Sequence, residues 1–450
     1  MRAFCAAPGW ALGCACVSLL TICVARGETD SVPVRQAGAL GTEEYTTLSD
    51  YLRLAAENNR GLEAAYHRWQ AALAEIPRAA SPPQPRLTYG YFISEVETKV
   101  GPQQHRIGLS QSLPWPSKLS SRRRIGEHAA AAAQAEYESA RQELLLRVKS
   151  VYFDLYYLEA AIAVTEENVL LLRSLERVIL ARYRSGDLPH STLIRAQVEL
   201  GKLEDRLASL RERRRPAAAA MNALLNRPTD SRVSFPRSLP ESNLNVHQDR
   251  LSSLLENRNP ELLAARHRVD KQDEAAGLAG RSAWPDLVVG VDYLVTGHSD
   301  PAGTPDSGKD PIIAMLGISL PLWRGRIRGE SAAGRSSQVA AASQYADRRL
   351  LLQAELESAL YGYRDAGRQV RLYGEELLPK ATQSLEVTRQ SFEAGRSDFS
   401  TFVDAQRLLL EFSLQLERAR VEKARSLARI EGLVATPVEQ MPESEVQDAH

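Results

Sequence analysis

Few stretches of this 450-residue chain hold side chains spaced for chemistry. Gly303-Thr304-Pro305-Asp306-Ser307-Gly308-Lys309-Asp310 imitates a glycine-rich phosphate loop. It lacks the final Ser/Thr and falls between two strand-like segments instead of before a helix, so nucleotide binding does not follow. Eight histidines, His67, His105 and His190 among them, show no pairing at metal-ligand spacing, and methionine occurs only four times. No stable metal site is read from that pattern. All four cysteines (Cys5, Cys14, Cys16, Cys23) lie in the first 25 residues. The remainder has no disulfide, thiolate ligand or cysteine nucleophile to offer. No nucleophile–base constellation appears, and the expectation is a protein that is not an enzyme and carries no cofactor. The basic runs Arg122-Arg123-Arg124 and Arg211 to Arg215 could hold anions, but on long helices such runs are more often solvated or paired between subunits.

Lys and Arg total 56 against 56 Asp and Glu, a formal net charge of zero. That balance removes the electrostatic case for a nucleic-acid partner. One apolar run approaches bilayer length, from about Trp10 to Val24, so a polytopic helical membrane protein is excluded. With Arg2 before it and Arg26-Gly27-Glu28 after it, the run has the form of a secretory signal over residues 1–25, cleaved after Ala25. Two alternatives stay open: a single membrane anchor, and lipidation of Cys23, since Leu20-Thr21-Ile22-Cys23 weakly resembles a lipoprotein box in which Ile22 fits poorly.

The chain repeats itself. Leu62, Ala64, Ala65, His67 and Arg68 recur 200 positions on as Leu262, Ala264, Ala265, His267 and Arg268. Leu109, Ser112, Leu113 and Pro114 recur at an offset of 207 as Leu316, Ser319, Leu320 and Pro321. Gly186, Ser191, Thr192, Ala196 and Gln197 recur at 209 as Gly395, Ser400, Thr401, Ala405 and Gln406. Matches in one order, with offsets that only drift upward, imply two copies of one unit, residues 45–240 and 245–435, followed by a polar, disordered tail over 436–450.

Each copy opens on a helical stretch, about Leu48 to Glu75 and Leu251 to Gly280. Period-two alternation then predicts strands over 86–97 and 105–114, and over 285–297 and 311–320. Leu87, Tyr89, Tyr91 and Ile93 share one face, as do Leu287, Val289, Val291, Tyr293 and Val295. A helical hairpin follows each strand pair, over 117–215 and 329–433. In the first, Leu144, Val148, Val151, Leu155, Leu158, Ile162, Val169, Leu172 and Ile179 alternate steps of four and three, a heptad seam with Thr165 and Glu176 in two of its places.

Four strands of about ten residues suit a tilted bilayer crossing, yet four cannot close, and lipid does not tolerate open edges. Several chains must then share one barrel, and three would give twelve strands over twelve helical segments. A soluble α+β protein with a long coiled coil is the alternative that pattern alone leaves open. The fold class is mainly α with a β-barrel contribution: internally duplicated, each copy a β-hairpin plus a long coiled-coil hairpin, assembled as a trimeric 12-stranded barrel on a 12-helix tunnel.

The stretches Ala181-Arg182-Tyr183-Arg184-Ser185-Gly186 through Leu200, and Ser391-Phe392-Glu393-Ala394-Gly395 through Gln406, resemble the TolC-like outer-membrane efflux protein family. Gln111-Ser112-Leu113-Pro114-Trp115-Pro116 is similar to members serving heavy-metal exporters. The resemblance covers about residues 40–435. It implies an outer-membrane exit duct of a tripartite exporter, with a helical tunnel in the periplasm. Its partners would be two further copies of itself, outer-membrane lipid, a periplasmic adaptor (membrane fusion) protein and an inner-membrane pump that supplies the energy. The hairpin turns would meet the adaptor, which makes Arg184, Gly186, Asp187, Gly395 and Arg396 contact candidates. Family members narrow the bore with acidic rings on the returning helix of the second copy. The matching positions are Thr401 and Asp404, and Thr401 departs from the usual acid. A type I protein-secretion duct is the rival within the family; a periplasmic adaptor or structural coiled-coil protein is the rival outside it. The sequence does not name the cargo.

Overall fold

The computed structural model describes residues 47–240, 243–298 and 305–437. The segment read as a signal, Cys23 and most of the polar tail lie outside the described residues.

The chain begins with two short helices, α1 (Leu48–Asn58) and α2 (Arg60–Ala80), where the sequence predicts one. The break has a local cause. Asn59 adopts an extended conformation, and its side chain caps α2 by accepting from the Leu62 amide at 3.1 Å. Strands β1 (Arg86–Thr98) and β2 (Gly101–Leu113) form a hairpin. β2 starts earlier than predicted because its first residues, Gly101, Pro102 and Gln103, pair in the ladder without alternating in hydropathy. Then come α3 (Pro116–Arg184), α4 (His190–Glu212) and α5 (Arg214–Leu224). At 69 residues, α3 is about 100 Å long.

The second half runs α6 (Gln248–Arg258), α7 (Pro260–Gly280), β3 (Leu287–Thr296), β4 (Ile312–Ile318), α8 (Arg324–Arg371), α9 (Leu378–Glu393) and α10 (Phe399–Val434). Asn259 repeats the device of Asn59, capping α7 through the Leu262 amide at 3.0 Å. Both asparagines also reach across to a returning helix. Asn59 Nδ2 donates to the Leu224 carbonyl and Asn259 Nδ2 to that of Leu433, each at 2.9 Å. α8 starts five residues before the predicted Gly329. A π-helical turn, Leu372–Leu377, separates it from α9 where an unbroken helix is predicted. Pro379 explains the site: it has no N–H for the Glu375 carbonyl, and its ring crowds that carbonyl.

The heptad seam is the core. Eight of its nine apolar residues in α3 are buried, and Val151 is half-buried. Thr165 is buried too, and satisfies its hydroxyl on the Ala161 carbonyl at 2.7 Å. The first half of α3 packs on α2 and α7, and the second half on α4 and α10. Arg211 and Arg214 pair with Glu166 and Glu159 of α3, and Arg124 with Glu274 of α7. Three arginines of the two basic runs are therefore paired with carboxylates of neighbouring helices.

The four strands make one antiparallel sheet in the order β1-β2-β3-β4. Its register aligns Tyr89, Ile107, Tyr293 and Ile312 in one row, and Leu87, Leu109, Val291 and Ala314 in the next. That face is exposed: Leu87 and Tyr89 are each 66% accessible and Leu316 is 79%. The opposite face carries Thr88, Arg106 and Asp292, with Arg106 ion-paired to a buried Asp292. Among the described residues, no helix is long and apolar enough to cross a membrane.

Candidate functional site

The two helical hairpins end at the same place. α3 stops because Gly186 turns left-handed at φ +85°, with its amide on the Tyr183 carbonyl at 3.1 Å and the Asp187 amide on that of Arg182 at 2.8 Å. α9 stops the same way. Gly395 has φ +70°, its amide bonds the Phe392 carbonyl at 3.0 Å, and the Arg396 amide bonds that of Ser391 at 2.8 Å. A Cβ on Gly186 would meet nothing within 4 Å, so backbone conformation alone demands glycine there.

The tips touch through a residue the sequence reading passed over. Arg182 Nη1 donates to the Phe392 carbonyl at 3.0 Å, and its guanidinium lies 5.9 Å from the centre of the Phe392 ring. Phe392, Phe399 and Phe402 are buried beneath the second turn and fix it. Arg184, Gly186, Asp187, Gly395 and Arg396 are thereby brought together at one end, all exposed.

Thr401 and Asp404 share an exposed face in the first two turns of α10. Asp404 is not alone. Arg407 Nη1 lies 3.8 Å from it, while Arg407 Nη2 bonds Glu199 of α4 at 2.6 Å. Arg407 is the main cause of a Glu199 pKa below the ordinary carboxylate value. One guanidinium thus faces both carboxylates and links the two returning helices. On the buried side of the same turn, Gln406 and Asn168 make an amide pair, Gln406 Nε2 to Asn168 Oδ1 at 2.9 Å, between α10 and α3. The hint in the sequence was polarity on a greasy seam, at Thr165, Asn168 and Gln406.

The histidines need a correction. Sequence spacing pairs none of them, yet packing of α3 on α7 sets His128 beside His267 and Asp270. The described part of the decoy phosphate loop, residues 305–310, falls between β3 and β4 as expected. Its Gly308 amide bonds the Val100 carbonyl of the first hairpin turn at 2.7 Å.

A four-stranded sheet with a bare apolar face is thus joined to long paired helices that end in glycine turns. The sequence matches the outer membrane efflux protein family over residues 51–227 and again over 251–436. The chain belongs to that family. It is an outer-membrane efflux channel, with its helices in the periplasm, and not an enzyme. Among relatives of this efflux protein, the cobalt-zinc-cadmium resistance protein CzcC of Cupriavidus metallidurans is 22% identical, covering 85% of this chain and 88% of its own. The outer membrane protein TolC of Vibrio cholerae is 23% identical over 91% of this chain and 96% of its own. The crystal structure of VceC, also from Vibrio cholerae, superposes with a TM-score of 0.74 at 17% identity, covering 87% of this chain and 96% of that one.

Proposed function

We propose that three copies of this chain form the exit duct of a tripartite efflux system, a 12-stranded barrel on a 12-helix tunnel. One observation carries the reading: the sheet is open at β1 and β4, and one of its faces is bare and apolar. An isolated sheet of that kind cannot rest in lipid, whereas neighbouring copies joined β4 to β1 leave no edge. The dimensions agree. Trp284 and Tyr293, nine residues apart, hold Leu287, Val289 and Val291 of the apolar face between them. At about 3.3 Å per residue and a tilt of roughly 40°, they are about 23 Å apart along the membrane normal, close to an outer-membrane apolar band. Trp115, packed on Trp284 at 5.9 Å, and Trp323 join the aromatic girdle on the helix side.

The two halves are one duplicated unit, supported by the same order of elements in each and by the paired asparagine devices. The tips, with Arg184, Gly186, Asp187, Gly395 and Arg396, dock on a periplasmic adaptor. Thr401 and Asp404 line the narrow mouth behind them. Three Asp404 carboxylates favour cations there, less strongly than a bare acidic ring because Arg407 stands beside each. Transport is passive, driven by an inner-membrane partner.

Purified protein in planar bilayers tests this. Expected are ion-conducting channels whose cation preference falls with Asp404→Asn. Gly186→Val and Gly395→Val should abolish crosslinking to the adaptor while the channels remain. A water-soluble monomer that conducts nothing would overturn the proposal.

A further inference from the structure

α3 and α7 run antiparallel on the membrane side of the helical region, and charged pairs lace their seam. Arg124 Nε meets Glu274 Oε1 at 2.8 Å, and Arg268 Nη2 meets Glu136 Oε1 at 2.6 Å. Between them the pattern changes. His128 of α3 faces His267 and Asp270, which stand one turn apart on α7. Asp270 Oδ2 is 3.9 Å from His128 Nδ1 and 3.8 Å from His267 Nδ1. The two rings lie 6.3 Å apart, and one ligand atom from each of the three residues falls within 4.8 Å of the others. His267 Nδ1 is buried and has no hydrogen-bond partner. Such a nitrogen is costly unless something binds it.

We infer that His128, His267 and Asp270 bind a divalent transition-metal ion of the zinc class. Two imidazoles and one carboxylate are the donor set that suits Zn²⁺ and its neighbours, leaving a fourth position for water. They do not suit Mg²⁺ or Ca²⁺, which take oxygen ligands. A tetrahedral ion with bonds of about 2.0–2.2 Å needs its ligands roughly 3.3 Å apart. The carboxylate oxygen already sits nearly equidistant from both rings, and small side-chain rotations close the remainder. The flanking pairs matter as well. They hold the guanidiniums of Arg124 and Arg268 on Glu274 and Glu136, so neither is drawn onto Asp270. Among the described residues the grouping occurs once: His67 stands where the repeat places His267, but Gln70 replaces the aspartate. A bound ion would staple α3 to α7, joining helices from the two halves. The inference rests on the packing of two helices and does not depend on what the duct carries.

The test uses the detergent-purified full chain without a histidine tag, with Co²⁺ as a spectroscopic probe and Zn²⁺ as competitor. One Co²⁺ per chain should bind, with ligand-field absorption of a low-coordinate site, and Zn²⁺ should displace it. His128→Ala and His267→Ala should each weaken binding by at least about tenfold, and Asp270→Asn by about tenfold. His67→Ala should change nothing. Zn²⁺ should also raise the unfolding temperature of the wild type but not of His267→Gln, which guards against variants that fail to fold. Absence of stoichiometric binding, or binding that survives both histidine variants, overturns the assignment.

Discussion

Asn59 and Asn259 each break a helix, cap the next one and hold a returning helix by its last carbonyls. Asn259 is 4% exposed, so its loss removes a cap and leaves the Leu433 carbonyl buried without that donor. Asn259→Ala should cost about 2–3 kcal/mol, and the less buried Asn59→Ala about 1–2. Thermal loss of helical circular dichroism at a fixed scan rate should rank them in that order below the wild type. Equal midpoints for all three would mean the side chains do not anchor the corners. Near the tips, the Glu199–Arg407 link makes a prediction with a definite sign. The pKa of Glu199 is depressed in the fold, chiefly by its bond to Arg407. The link therefore stabilises above the ordinary carboxylate range and fades as pH falls through the depressed value. Hydrogen-exchange protection of α4 should exceed that of a Glu199→Gln variant at neutral pH, and the difference should shrink below the ordinary value of 4.5. A difference that grows with acid would refute it. Neither device was readable beforehand. Asparagine in a polar stretch looks like any surface residue, and an Arg–Glu pair over 200 positions apart has no local signal.

At the scale of elements the sequence was more open. Heptad spacing exposed the seam of α3 because close-packed helices must repeat their apolar contacts. Period two exposed all four strands to within a few residues at most ends. Glycine marked both tips because only it takes the left-handed turn without strain. The π turn escaped notice, although its trace was present. On the reading of a duplicated unit, residues 324–393 match α3 but are one residue longer. A π turn is how a helix absorbs one extra residue without rotating everything beyond it. Deleting Gly374 together with Pro379→Ala should then restore a regular helix, keep Phe392 and Gly395 in place, and preserve adaptor crosslinking. Deleting Ala354 in α8 instead should turn each later side chain by about 100° and abolish it. If both deletions behave alike, the extra turn is not an accommodation. The same reasoning shows why the sequence missed the histidine cluster: His128 and His267 are neighbours only after the helices pack.

For the whole molecule, what matters is which way the sheet faces. Leu87, Leu109, Val291 and Leu316 lie on the exposed apolar side, while Ser112, Thr88 and Asp292 lie on the other. Only the first side can meet lipid if three sheets close into one wall. A charge placed there must be desolvated in the bilayer, at about 2–4 kcal/mol per copy near the midplane, and a trimer would carry three. A charge on the inner side stays in water and costs far less. Leu316→Lys should accordingly strip the wild type of its heat-modifiable oligomer, which should run in unboiled gels at roughly three times the 49.7 kDa chain mass. Ser112→Lys, on the neighbouring row but the opposite face, should leave that oligomer intact and alter only conductance. Reversed outcomes would turn the sheet inside out, placing the Arg106–Asp292 pair in lipid, where a charged pair is least tolerated. Equal tolerance of both substitutions would mean that neither face meets the membrane, and the bare leucines would then need a protein partner to cover them.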